Sequence, residues 1–452
     1  MSGGLSLAKV GRDSKVGLYD VLIPLGAFAA APGYLLRSLG HPEYRDHFLE
    51  RLGLLPAPLV SRLASLSRRP VWIPAVSVGE VILARTLLES LQDFFSNAGD
   101  RTDRAPHVVL SSTTPAGRDA AAAIQSPLLE GVFHFPIDWA PIVRRLLGRV
   151  NPSLFIAIET EIWPGLLRQC AQRQVPAIIV NGRISHRSHG RYRRFRGMLR
   201  EPLGAVRLAC MQTADDAERA RSIGIPADRI VVTGNMKFDA APPRDGADGS
   251  GSALPALPIP DGARVLVAGS TSEGEEEIVL DAFDRLAPRR AEGTILILAP
   301  RHRERFDAVA RLLERRRLRF VRRSSATIGA PYDVLLLDSI GELADVYSRG
   351  QAAFVGGSLV PRGGQNLIEP AARGVPVLFG PHTENFAAVA QALLEAGAGF
   401  RVSGADDLAS TWSLLLADTD RRQRAGNAAR ALIEAHRGAT ARTIRHILPF
   451  IG

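Results

Sequence analysis

The chain has 452 residues, about three times the ~150-residue size of a single domain, which excludes a peptide or minimal module and points to two domains with extensions. Hydrophobic residues make up 46% and charged residues 23%, the balance of a body that buries a core, so broad disorder is excluded. The net charge of +10 and pI near 10.3 call for an acidic partner: a nucleic acid, an anionic membrane surface or a phosphorylated substrate.

Almost all the basic charge is arginine; lysine stands only at positions 9, 15 and 237. Cys170 and Cys210 give neither a disulfide framework nor a metal-ligand spacing and fit a reducing, cytoplasmic setting.

Residues 21–36, VLIPLGAFAAAPGYLL, carry no charge and lie between Asp20 and Arg37, with Lys9, Arg12 and Lys15 upstream. The run is shorter than the ~20 residues of a spanning helix, and Pro24 and Pro32 would kink one. No small-residue cleavage site marks it as a secretory signal. The expectation over residues 1–40 is an uncleaved anchor or interfacial segment with its basic flank on the cytoplasmic side; a buried helix hairpin is the alternative.

From residue 69 to 230, apolar runs alternate with stretches of helical period. The expected strands are VWIPAV (71–76), HVVLSS (107–112), GVFHF (131–135), SLFIAI (153–158) and AIIV (177–180). Such runs joined by helices mean parallel βα units with both sheet faces covered. Residues 240–262 are rich in Pro, Gly, Ala and Asp without usable period, which predicts an interdomain linker between domains at 41–239 and 263–452. The alternation resumes with RVLVAGS (264–270), TILILAP (294–300), DVLLLDS (333–339), QAAFVGGS (351–358) and VPVLF (375–379). The final helix is free to pack back on the first domain. Two doubly wound halves would leave a cleft, with ligands collecting beyond the carboxyl ends of the strands.

Four of those ends share a small polar residue with a glutamate three positions on: Ser77 and Glu80, Ser270 and Glu273, Ser339 and Glu342, Asn366 and Glu369. A capping box explains this pattern without any chemistry, and the two readings are compatible. The run AFVGGSLVPRGGQNLIEP (353–370) is the richest. Gly356, Gly357, Gly363 and Gly364, with Ser358 beside them, let backbone approach a ligand, and a helix opening near Asn366 turns its positive end toward it. This suits a phosphate or nucleotide, with Glu369 accepting from ribose hydroxyls. Pro300 and Arg301 follow a strand directly, where the guanidinium can pair with phosphate. Lys237 offers a mobile point charge to a leaving phosphate. No HxxxH pair, GxSxG elbow or GxxxxGK[ST] loop occurs, and Asp418 and Asp420 sit in an expected loop, so metal, serine-hydrolase and P-loop chemistry have no motif.

At these residues the chain resembles the 3-deoxy-D-manno-octulosonic acid (Kdo) transferases of lipopolysaccharide synthesis. The resemblance runs nearly end to end: LYDVLIPL, HPEYRDHFLERLG, SVGE (77–80), STTPAGR (112–118), PIDW (136–139), ETEIWPGLL (159–167), NGRIS (181–185), TGNMKFD (233–239), STSEGEEE (270–277), APRHRERF (299–306), GEL (341–343), FVGGSLVPRGGQNLIEPAA (354–372) and GPHTENF (380–386). It departs at Pro74, where the family usually has His, and at Gln365, where the family usually reads GGHN.

The resemblance implies an α/β GT-B fold, two Rossmann-like domains facing a cleft, and inverting transfer of Kdo from CMP-Kdo to the lipid A precursor, with no cofactor or metal ion and no nucleic-acid partner. Glu80 would match the family's general base, and Glu159 and Lys237 the groups that steady the transition state. Pro300 and Arg301, Ile340, Gly341 and Glu342, and Asn366, Leu367, Ile368 and Glu369 would match the CMP-binding segments. Ser77 and Gly79 would face the acceptor, with Gly79 leaving it room. Arg183 and Arg187, with Arg191, Arg193 and Arg194, would meet the phosphorylated glycolipid at the anionic cytoplasmic face of the inner membrane. A sugar-nucleotide epimerase and a catalytically silent lipid-binding protein of the same architecture are the competing readings.

Overall fold

Each of the ten expected apolar runs contains a strand, and four further strands join them. The computed structural model describes residues 48–97, 104–159, 161–239, 257–260, 262–286, 292–325 and 331–451, apart from the side chains of His186 and Arg187. The expected membrane segment at 1–40, and residues 240–256 and 261 of the expected linker, lie outside the described residues. Among the described residues no helix is long and apolar enough to cross a membrane.

The first unit holds β1 (Val71–Pro74), β2 (Val108–Ser112), β3 (Leu129–His134), β4 (Leu154–Ile158), β5 (Ala177–Gly182), β6 (Val206–Met211) and β7 (Ile230–Val232). They form one sheet in the order β3-β2-β1-β4-β5-β6-β7, every neighbouring pair parallel. Alternate side chains leave by opposite faces. Trp72, Val109 and Phe155 enter one buried cluster; Ile73, Leu110 and Ile156 enter the other.

The second unit holds β8 (Arg264–Thr271), β9 (Thr294–Pro300), β10 (Phe320–Arg322), β11 (Val334–Leu336), β12 (Ala352–Val355), β13 (Val377–Phe379) and β14 (Gly399–Arg401). Their order is β10-β11-β9-β8-β12-β13-β14, again all parallel. Leu266 and Ala268 pack on one face with Leu296 and Leu298, while Val265 and Val267 pack on the other with Ile295 and Ile297.

The chain leaves the first unit between Met236 and Lys237, ahead of the Pro- and Gly-rich stretch, and returns at Gly438. Packing sets those points. Met236 is fully buried in the first unit and donates its N–H to Asn181 Oδ1 at 2.8 Å, whereas Phe238 stacks on His436 in the second. The helix Ala439–Ile447 buries Ala439, Ile444 and Ile447 against the helix Val78–Ser96, and Arg442 Nε donates to Thr233 O at 2.8 Å.

Candidate active site

In the first sheet the strand order reverses between β1 and β4, the switch point where doubly wound sheets collect ligands. β1 leads into Ser77, the N-cap of helix Val78–Ser96, whose Oγ accepts from Glu80 N at 3.4 Å. Glu80 replies with both oxygens: Oε2 accepts from Val76 N at 2.8 Å and Oε1 from Ser77 Oγ at 3.2 Å. The capping box therefore exists, and it holds the carboxylate folded back over the end of β1.

Glu80 is only 7% exposed. Burial pushes its carboxyl up to about 8; the charges of Glu161 and Glu159 push the same way, against the bonds from Val76 and Ser77. Glu159 ends β4 in a left-handed conformation, φ 57°, rare for a side-chain-bearing residue and costing of order 1–3 kcal/mol. Burial, then the charge of Glu159, raises Glu161 to about 7. The helix after these acids, Pro164–Gln172, is pinned from outside by Asp138 of the PIDW segment, whose oxygens accept from Gly165 N at 2.9 Å and Leu166 N at 2.6 Å. A carboxyl that ionises near pH 8 beside an open edge can take a proton from an alcohol. Ser77 and Gly79 are exposed on that edge, and a Cβ at Gly79 would meet only Ser77 Oγ, at 3.8 Å.

Arg183 follows β5 and is half-buried, whereas Arg187 lies in helix His186–Arg194 with its side chain outside the described residues. Arg191, Arg193 and Arg194 are exposed along that helix.

In the second sheet the order reverses between β8 and β12. Residues 356–365 leave β12 and fold back on themselves: Gly364 N donates to Gly357 O at 2.7 Å and Gln365 N to Gly356 O at 3.1 Å. Glycine pairs raise the expectation of amides open to a phosphate. Instead Gly357, Ser358 and Leu359 donate theirs to Glu275, at 2.6, 2.9 and 2.8 Å. Gly356 cannot carry a side chain, because a Cβ would sit 2.5 Å from Ser270 O and 2.9 Å from Glu275 Oε2. Gly363, at φ 86°, takes Asn385 N on its carbonyl at 2.9 Å, and Asn385 Nδ2 reaches Gly364 O at 3.4 Å.

Beyond the loop, Asn366 Nδ2 donates to Glu369 Oε1 at 3.0 Å while its Oδ1 accepts from Ile368 N at 3.0 Å. The helix that follows, Ile368–Ala372, has five residues. Leu367 and Ile368, expected to contact CMP, are wholly buried, backbone included, and present no surface to a ligand. Burial raises the carboxyl of Glu369; the Asn366 bond and the charges of Arg301 and Arg373 oppose that rise, so Arg301 and Glu369 share one field. Pro300 is buried at the end of β9, and Arg301 N donates to Thr271 O at 2.9 Å while its side chain stays exposed. Ile340 is 52% exposed and Gly341 adopts φ 98°; both follow β11, which pairs with β9. Glu342 accepts from Arg323 Nε at 2.8 Å. Lys237 Nζ lies 5.1 Å from the Phe386 ring centroid, next to the Asn385 that ties the glycine loop.

Of the four expected boxes only Ser77 and Glu80 cap their helix: the helix Ile368–Ala372 starts from Leu367 with no side-chain cap, and the other two do not form. Ser270 is still in β8, and Glu273 pairs with Arg305 at 3.2 Å. The helix Leu343–Val346 has Glu342 itself as its uncapped start. Two further carboxylates near these strand ends that spacing did not single out are Glu161 and Glu275, whose signals are an acid two residues past a strand-end glutamate and a run of three glutamates at a helix entry. Among the described residues no His, Cys, Asp and Glu cluster could hold a metal ion.

The sequence model of a 3-deoxy-D-manno-octulosonic-acid transferase (kdotransferase) domain matches residues 46–240. The UDP-GlcNAc 2-epimerase of Neisseria meningitidis, solved with UDP-GlcNAc, superposes with a TM-score of 0.54 over 84% of this chain and all of that one. At 13% identity this shows the fold alone, the two-domain α/β GT-B fold. The 3-deoxy-D-manno-octulosonic acid transferase of Haemophilus influenzae is 33% identical over 422 residues, 92% of this chain and 94% of that protein. Its counterpart in Bordetella pertussis is 36% identical over 411 residues, 88% and 89% of the two chains. Sharing a third of its residues along nearly the whole of both enzymes, the chain belongs to the 3-deoxy-D-manno-octulosonic acid transferase family of glycosyltransferases.

Proposed function

We propose that this glycosyltransferase moves Kdo from CMP-Kdo to the lipid A precursor, with inversion, at the cytoplasmic face of the inner membrane. The observation that carries the reading is Glu80: an enclosed carboxylate, raised to about 8, at the switch point of the first sheet. The acceptor hydroxyl attacks the anomeric carbon of Kdo as the bond to the CMP phosphate oxygen breaks. Glu80 takes the hydroxyl proton, and CMP leaves with the bonding electrons. Glu159 steadies the charge that develops. Arg301 and Lys237 neutralise the single departing phosphate, which makes a divalent ion unnecessary. Asn366 and Glu369 bind the ribose, residues 340–342 complete the nucleotide site, and Arg183, Arg187 and the exposed arginines of their helix meet the acceptor phosphates.

The test is an incubation with CMP-Kdo and lipid A precursor. CMP release that requires the acceptor is expected, and product mass gives the number of Kdo residues added. Release independent of acceptor, or epimerisation of a nucleotide sugar, would overturn the reading.

A further inference from the structure

Glu275 has no exposed surface, yet among the described residues its hydrogen-bond partners are all backbone amides. Oε2 accepts from Ser272 N at 2.8 Å and Gly357 N at 2.6 Å; Oε1 accepts from Ser358 N at 2.9 Å and Leu359 N at 2.8 Å. One carboxylate thus joins the exit of β8 to the exit of β12, across the reversal of strand order. Such charge-assisted bonds are about twice as strong as neutral ones. What they fix is carried onward: Gly364 and Gln365 hang on the carbonyls of Gly357 and Gly356, Asn366 follows them, and Asn366 holds Glu369.

We propose that Glu275 is a positioning residue for the donor nucleotide, a built-in anion that sets residues 356–359, and through them Asn366 and Glu369, in the shape the nucleotide needs before it arrives. This rests on the CMP reading above. A Cβ at Gly356 would meet the β8 backbone first, with Ser270 O and Thr271 Cα at 2.5 Å, and then the carboxylate at 2.9 Å.

The chemistry separates this role from packing. Glu275→Gln keeps the volume, but its amide group leaves two of the four donors facing another donor. Glu275→Asp keeps the charge and loses one methylene of reach. In the full chain, CMP affinity measured by calorimetry is expected to fall about tenfold or more in Glu275→Gln. Glu275→Asp should lie between that variant and wild type. KM for CMP-Kdo should rise with kcat and the acceptor KM little changed, and amide exchange across residues 357–359 and 364–366 should quicken. A packing role gives the opposite order, with Gln better than Asp, and that order overturns the proposal. So does CMP affinity in Glu275→Gln equal to wild type. If wild type itself ignores CMP, the donor reading fails and this role for Glu275 falls with it.

Discussion

Burial raises carboxyls at the edges of both sheets, but the two edges give them different neighbours. In the first unit Glu80, Glu159 and Glu161 crowd one edge, and burial with mutual repulsion lifts Glu80 to about 8 and Glu161 to about 7. In the second unit five carboxylates of the edge meet amides or arginines: Glu275 holds four amides, Glu276 and Glu273 meet Arg305, Glu342 meets Arg323, and Glu369 shares the field of Arg301 and Arg373. One doubly wound architecture therefore supports two kinds of edge. The edge where burial and like charges raise the carboxyls to about 7 and 8 is suited to accept a proton, and the edge rich in arginine and amide partners to hold a ligand in place.

The sharpest way to break this contrast is to neutralise the first edge alone. Glu80→Gln should lower transfer by ~10²–10⁴-fold while CMP affinity, read by calorimetry, stays at the wild-type value. Substantial turnover in that variant would remove Glu80 as the base.

Next comes the opposite perturbation. Arg301→Ala takes a positive charge from the second edge without touching a cap, and should weaken CMP binding by about 1.5–3 kcal/mol with little change in melting temperature. Glu369→Ala removes both the proposed ribose contact and the Asn366 bond, so affinity and melting temperature should fall together. Unchanged CMP affinity in both would move the nucleotide elsewhere.

A smaller effect is the pH dependence. The acceptor-dependent kcat/KM should rise through an apparent ionisation near 8, and Glu161→Gln, by deleting a like charge, should move that limb to lower pH. Stability has the reverse sign. Glu80 and Glu161 bind protons more tightly folded than unfolded, so their contribution is full below the ordinary carboxylate range and is lost as pH climbs through about 7 and 8. The melting temperature should fall over that window, and Glu80→Gln should flatten the fall. The smallest expected effect is none at all: exhaustive chelation should leave transfer at full rate, and activity that only added magnesium restores would refute charge neutralisation by Arg301 and Lys237.

Legibility in sequence follows the physics of each element. Long apolar strands such as TILILAP announce themselves because both faces of a parallel sheet are covered. β7, β10 and β14 have three residues each and, unlike β11 and β13 of the same length, are not among the strands expected from local runs, and β6 is interrupted by exposed Arg207. The Ser77 and Glu80 spacing marks a true box because N-capping is local. The identical spacings at Ser270 and Ser339 do not, because where β8 ends and where Arg323 reaches are decided elsewhere in the chain.

By itself the sequence determined the alternation that builds two parallel sheets and the residue types gathered near the strand ends. Tertiary structure alone decided which strands lie side by side at the switch points. It thereby decided that Glu161 would burden Glu80 and that Glu275, 82 residues before Gly357, would occupy the amides of the glycine loop. Hydrophobic period and capping are read within a few residues, whereas burial, like-charge repulsion and amide partnership depend on segments that meet only when the sheet has formed.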